Sequence, residues 1–299
     1  MPVTADPVSL PSRLWVYQRE RFPLVAHGLL TASFAGGVVC AGAALAGHGV
    51  SGLAVLAAIG LALGLFFQLR VADEWKDLET DTRHRPERPV PRGLVTLREL
   101  TVIAMGVAVL QLAIATALGL AVVGALVLAW VFAALMTAEF FAPEALRQST
   151  LWVLVSHGLV VPLIALVALA CGLAGSTWPS SALWILAASF FAGNVVEIGR
   201  KVRAPEDEQA GVETYSASWG KGRALAVWLA ASLAASGCVG AVLSHAGAPV
   251  WPAALLALLA LGLAGLSARR PGKTLETGAG LWVLALYLVV GPATYFLWS

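Results

Sequence analysis

Three aspartates, Asp73, Asp77 and Asp81, recur at four-residue intervals just after a long apolar run that ends at Leu69. If that run continues as a helix past Leu69, residues four apart share one face, and the carboxylates form a stripe with Glu74 beside it. Like charges placed this way repel, and an exposed helix gains nothing from them. A hard divalent cation such as Mg2+ neutralises such a stripe, held by one or two carboxylates together with substrate phosphates. A single aspartate here would read as a solvated helix end that anchors the span. Three of them, flanked by Arg83, Arg85, Arg88 and Arg92, read as half of a metal and diphosphate site.

A second polar stretch, "NVVEIGRKVRAPEDEQAGVETYSASWG" from Asn194 to Gly220, supplies the other half. Asn194 and Glu197 are three residues apart and can add oxygen ligands on one side of a helix end. Lys201 lies four residues after Glu197. With Arg88 of the first stretch, Arg200, Lys201 and Arg203 can bind phosphate oxygens as point charges or bidentate forks. Glu206, Asp207 and Glu208 fit a capping or solvated acidic turn equally well. Two further ionisable groups, Glu139 and His157, fall near the end of one apolar run and inside the next. Ionisable groups in spans are candidate functional residues, so either can serve as a proton acceptor; a lone histidine there also fits a helix-to-helix hydrogen bond.

The elements that carry these residues are membrane helices. The chain is 59% hydrophobic and 12% charged over 299 residues, against a charged fraction of about 25% in soluble domains. A spanning helix needs about 20 apolar residues, and nine runs qualify, roughly 24–47, 52–69, 100–118, 121–142, 151–174, 181–196, 224–244, 252–267 and 278–298. With the N-terminus in the cytoplasm, all 19 Lys and Arg fall on that side, and the loops near His48, Gly119, Gly175 and Ala248 carry none. The expected protein is a multi-pass, all-α integral membrane bundle with its site facing the cytoplasm, on loops 70–99 and 197–221. Residues 1–23 lack an apolar signal core, so the first span is expected to insert uncleaved. Cys40, Cys171 and Cys238 lie in apolar runs without paired spacing and read as core residues. A net charge of +2 without basic and aromatic interleaving argues against nucleic acid.

The motifs resemble those of the UbiA superfamily of intramembrane prenyltransferases, which are nine-helix proteins. Their first signature, Asn-Asp-x-x-Asp-x-x-x-Asp followed by an Arg-Pro and small-residue-Gly segment, corresponds here to "DEWKDLETD" with "RPERPVPRG". Asp73 stands in the Asn position, Glu74 in the second, and Asp77 and Asp81 match. "GVETYSASWG" is similar to the Gly-x-x-Thr and closing Gly after the second family motif. The resemblance implies one UbiA-like domain over 1–299, binding a prenyl diphosphate through Mg2+. Asp73, Asp77 and Asp81, with Asn194 and Glu197, would be the metal ligands, and Lys201 would join the catalytic set. The second motif departs from the family: where most members carry two or three aspartates at four-residue spacing, this chain has Glu197 and then Lys201. Lys201 then replaces a second metal as a fixed positive charge.

Ionisation of the allylic C–O bond in a dry cavity yields a carbocation, which aromatic faces such as Trp75, Phe140, Phe191 and Tyr215 can stabilise. Two fates are open. In a transferase an aromatic or lipid acceptor captures the cation; in a UbiA-type terpene cyclase a double bond of the same chain does. A divalent-cation transporter is the reading from another class, but transport sites lie near the midplane on broken helices, and nearly all the acids here sit at one face.

Overall fold

A computed structural model describes residues 9–208, 214–269 and 272–298, and among these every regular element is helical. In chain order they are α1 (Leu10–Arg21), α2 (Leu24–Ala46), α3 (Gly52–Lys76), α4 (Leu78–His84), α5 (Leu97–Leu118), α6 (Leu120–Thr137), α7 (Pro143–Arg147), α8 (Thr150–Gly158), α9 (Val160–Leu173), α10 (Ala182–Arg200), α11 (Tyr215–Trp219), α12 (Lys221–His245), α13 (Trp251–Arg269), α14 (Lys273–Leu288) and α15 (Thr294–Trp298). Helix is the form that satisfies every backbone group within one segment in lipid. Among the described residues, nine spans are long and apolar enough to cross a membrane, with α8 and α9 forming one and α14 and α15 another. Their outward faces carry exposed Leu, Val and Met, as on α5 (Val102, Met105, Val109) and α13 (Leu255, Leu258, Leu266).

Two spans are interrupted, each beside a proline. Pro162 has no N–H to offer the carbonyl of Gly158, and the helix breaks at Leu159, between α8 and α9. Pro292 likewise cannot serve Leu288, and Val289–Ala293 winds as a π-helix between α14 and α15. There the Thr294 hydroxyl donates to the carbonyl of Val289 at 2.8 Å, so a side chain meets part of the deficit.

The core is built on small residues. Along α2 the stretch from Phe34 to Ala43 is buried throughout. Helices in lipid associate by close packing and not by apolar transfer, and α2 takes this far on two sides. A Cβ on Gly37 would lie 2.5 Å from the carbonyl oxygen of Tyr287, and one on Gly172 of α9 would lie 2.7 Å from that of Val39. Gly291 of the π-helical segment rests on the backbone of Gly37. One chain of polar groups inside the bundle is paired across helices: Trp130 donates to Gln68 at 3.0 Å, Gln68 to Gln111 at 2.9 Å, and Gln111 to the carbonyl of Leu61 at 2.8 Å.

Because the spans alternate in direction, the connections after α3, α6, α10 and α13 meet at the end that also holds α1. Both motif stretches lie there. Pro86 terminates α4, since the residue before a proline is pushed out of the helical region and Arg85 has φ −145°. A capping box between Thr96 and Glu99 then starts α5.

Candidate active site

The helix that bears the aspartates continues beyond the apolar run, as the spacing predicts, but it steps at Asp77. Backbone bonds bridge the step: Asp77 N–H reaches the carbonyl of Asp73 at 2.9 Å, and Asp81 N–H that of Asp77 at 2.8 Å. The three side chains have different surroundings. Asp73 is half exposed, with Arg70 at 3.4 Å. Asp77 has no hydrogen-bond or ion-pair partner among the described residues. Asp81 is buried at 2% exposure, pairing with Arg88 and, at 3.5 Å, with Arg85. Glu74 is also buried, turned towards α1, where Arg21 holds it at 2.6 Å.

At the end of α10, Glu197 is gripped on both oxygens. Lys201 reaches Oε1 at 2.8 Å, and the Arg200 Nε donates to Oε2 at 2.7 Å. The Lys201 ammonium also lies 5.7 Å from the centre of the Tyr215 ring. Arg200 is close enough to Asp73 to act on it electrostatically, so the ends of α3 and α10 share one field. The side chains of Glu197, Arg200 and Asp73 keep 29%, 49% and 48% of their surface accessible, so the joined ends of α3 and α10 are open to a ligand. Asn194, one turn deeper, is buried, and its Oδ1 has no hydrogen-bond partner among the described residues; it lies over Gly158, where a Cβ would approach it to 2.6 Å.

The third contribution comes from the turn after α6. Glu139, Phe140 and Phe141 all have positive φ, near 50–57°, which is costly for residues with a side chain. The turn is held from outside: Lys76, at the tip of α3, forms an ion pair with Glu139, and His157 Nε2 lies 3.8 Å from the other Glu139 oxygen. The Phe140 ring packs edge-on to His157 with centroids 6.0 Å apart. The ends of α3 and α8 thus converge on one carboxylate.

Three sets of the expected residues come together: Asp73 with Asp77, Glu197 with Arg200 and Lys201, and Glu139 with His157. Arg88 is committed to Asp81, and among the described residues no three His, Cys, Asp or Glu converge as a metal cluster. Glu208 is partly exposed and serves the loop as a hydrogen-bond acceptor. It accepts hydrogen bonds from the Thr214 hydroxyl at 2.7 Å and the Ser216 hydroxyl at 2.6 Å, and Ser216 in turn accepts from the Arg203 N–H at 2.9 Å, tying the second loop to itself. Lys76 was not among the expected residues, although its place between Asp73 and Asp77 on the motif helix marks it as near the site.

The sequence pattern of the UbiA prenyltransferase family matches residues 35–277, most of the chain. The chain belongs to the UbiA prenyltransferase family. No curated protein matches it in sequence. Solved UbiA structures share its fold. The apo UbiA homolog from Aeropyrum pernix K1 superposes with a TM-score of 0.66 at 19% identity, over 88% of this chain and 95% of that one. The UbiA homolog from Archaeoglobus fulgidus bound to DMAPP and Mg2+ gives 0.55 at 18% identity, over 94% and 99%. A digeranylgeranylglyceryl phosphate synthase structure gives 0.61 at 15% identity, over 96% and 100%. Membership in the UbiA family makes this an intramembrane enzyme of multi-pass helical architecture.

Proposed function

We propose that the protein is a Mg2+-dependent enzyme that ionises a prenyl diphosphate and transfers the prenyl group to an aromatic or lipid acceptor, the whole chain acting as one membrane-embedded unit. The observation that carries this is the meeting of the two motif ends, which we read as a substrate cleft: Asp73, with the unpartnered carboxylate of Asp77 one turn on, lies within electrostatic reach of Arg200, and Glu197 holds Arg200 and Lys201 in place. The A. fulgidus homolog, which shares the fold, was solved with DMAPP and Mg2+.

The residues fit a metal on one side only. Mg2+ needs one or two carboxylates, the rest of its shell being phosphate and water, and Asp73 and Asp77 meet that need. The buried Oδ1 of Asn194, which lacks a partner, is a further oxygen donor at the α10 wall. Glu197 is paired on both oxygens with Lys201 and Arg200, and Asp81 faces Arg88 and Arg85 while its buried Oδ1 accepts no hydrogen bond among the described residues, so in this reading Asp73 and Asp77 carry the metal first. Asp81 instead holds Arg85 and Arg88 against the motif turn. Mg2+, when bound, offsets diphosphate charge and stabilises the leaving group. Arg200 and Lys201 then act on the diphosphate oxygens from the other wall, in place of a second metal, with Arg203 nearby on the same loop.

Glu139 and His157 form the proton-accepting pair. Lys76 holds Glu139 towards the cleft, and His157 stands where a proton leaving the substrate can be taken up. The same pair favours a second reading: a cation closed within its own chain loses a proton without any acceptor substrate, as in a terpene cyclase. We place the site at the cytoplasmic end, because the loops with all the basic residues are there. The deciding experiment incubates purified protein and Mg2+ with prenyl diphosphates of several lengths, with and without aromatic acceptors. Prenylated acceptor supports transfer, and hydrocarbon or terpene alcohol without acceptor supports cyclisation. No diphosphate release under any condition refutes both.

A further inference from the structure

We propose that α1 is a positioning element for the carboxylate turn, acting through the Arg21–Glu74 ion pair, and that Glu74 sets the orientation of Asp73 and Asp77 without touching the diphosphate. Glu74 occupies the second place of the motif, one residue after Asp73 and three before Asp77, in the same helical turn. Its side chain is 1% accessible and that of Arg21 is 13%. Removing two charges from water is costly, and a pair this buried contributes little net stability over an apolar one. What it supplies is geometry, because the paired carboxylate fixes how the last turn of α3 is rotated about its axis.

The contacts around the pair hold α1 in one place. Tyr17 is buried with Val71, Val95 and Leu100 in a small apolar cluster separate from the main core. Phe22 meets Phe67 of α3 edge-on, with centroids 5.7 Å apart. Nearer the helix start, Arg13 donates to Glu99 at 2.7 Å and to the carbonyl of Leu94 at 3.1 Å. Towards its end, both Arg92 nitrogens reach Glu20 at 2.9 Å. α1 is therefore fastened to the segment after α4 by the Glu20–Arg92 ion pair and the Arg13 bond to Leu94, and to the start of α5 by the Arg13–Glu99 ion pair, and Arg21 reaches from this fixed base to the aspartate turn. The segment it is fastened to also carries Arg85 and Arg88, the partners of Asp81. Burial pushes the Tyr17 hydroxyl above its ordinary pKa, and the charge of Glu74 adds to this, so a neutral phenol stands beside the pair.

This inference rests on the reading of Asp73 and Asp77 as metal-holding groups. Residues that orient metal ligands without touching the ion typically change metal affinity by about 10–100-fold when lost. The test uses the full-length protein in detergent and reads Mg2+ half-saturation in two ways: by turnover, and by the rise in melting temperature on adding Mg2+ with geranyl diphosphate. Arg21→Gln is expected to raise the half-saturation about tenfold or more in both readouts, with a smaller loss of rate at saturating Mg2+. Glu74→Gln, which keeps shape and a hydrogen bond, is expected to shift it in the same direction by less. Arg13→Ala removes a comparable α1 ion pair that does not touch Glu74; it should lower the melting temperature and leave half-saturation within about twofold. An unchanged half-saturation in Arg21→Gln, or in Glu74→Gln if the former fails to fold, overturns the proposal. So does an equal shift in Arg13→Ala, which would mark α1 as a general support. A wild-type protein that shows neither Mg2+-dependent turnover nor stabilisation would instead overturn the site assignment, and this inference with it.

Discussion

Lys201 offers the sharpest test of how this chain manages with an altered second motif. Its ammonium is held 2.8 Å from Glu197 and lies over Tyr215, so it is placed before any substrate arrives. A charge-assisted hydrogen bond from a lysine to a phosphate oxygen is worth about 1.5–3 kcal/mol. Lys201 keeps 37% of its surface accessible and shares its charge with Glu197, which puts its contribution at the lower end. About 1.5 kcal/mol is roughly a tenfold loss in kcat/KM for Lys201→Ala. Because the lost charge sits on the protein, raising Mg2+ should not restore it. Lys201→Asp is different: it frees one oxygen of Glu197 and places a second acid four residues away on the same face. Its activity should be lower than that of Lys201→Ala at ordinary Mg2+ and recover in part as Mg2+ rises. The assay is kcat/KM for geranyl diphosphate over a graded Mg2+ series, with melting temperature as the check on folding. If both variants stay within about twofold of wild type throughout, Lys201 is only an interfacial anchor and the substitution argument fails.

Further outcomes follow from the geometry. Asp77→Ala should abolish Mg2+-dependent turnover and change stability by less than about 0.5 kcal/mol, since the side chain has no partner to lose; a melting curve beside the assay reads both. Asp81→Ala should destabilise by about 3 kcal/mol, because it strands Arg88 and Arg85 beside a buried position; a melting temperature equal to that of wild type would show the pairing to be unimportant. Gly37→Ala should cost about 1–3 kcal/mol, as its Cβ would meet the Tyr287 backbone, which cannot swing aside; thermal inactivation in detergent measures this. Cysteines placed at Lys273 and Pro249 should be labelled from opposite faces, the first only from the cytoplasm, and the reverse pattern would invert the proposed orientation.

The spans were legible because lipid demands long apolar runs, and the two helix breaks fall beside Pro162 and Pro292 for reasons visible in the chain. The aspartate spacing and the Asn194, Glu197, Lys201 pattern also marked both halves of the cleft. What spacing could not reveal was how the acids are divided. Asp77 and Asp81 look equivalent in the motif, yet one is unpartnered and the other committed to Arg88. That division depends on how residues 85–96 fold back, and no periodicity encodes it. Glu74 finds its partner 53 residues away on a separate helix. The turn at Glu139–Phe141 contains no glycine to announce left-handed backbone; Lys76, His157 and Phe132, brought in by the fold, hold it.

The seating of Gly291 on Gly37 has a consequence for biogenesis. The packing of Gly37 on α2 is completed by Gly291, far later in the sequence, so the bundle stays open along α2 until synthesis has passed residue 291. The carbonyls freed by Pro162 and Pro292 are exposed to lipid for as long as their neighbours are missing. A nascent chain truncated before residue 289 would keep both motif stretches and still lack the wall that closes α2, making it a natural target for membrane quality control and not a partly active enzyme.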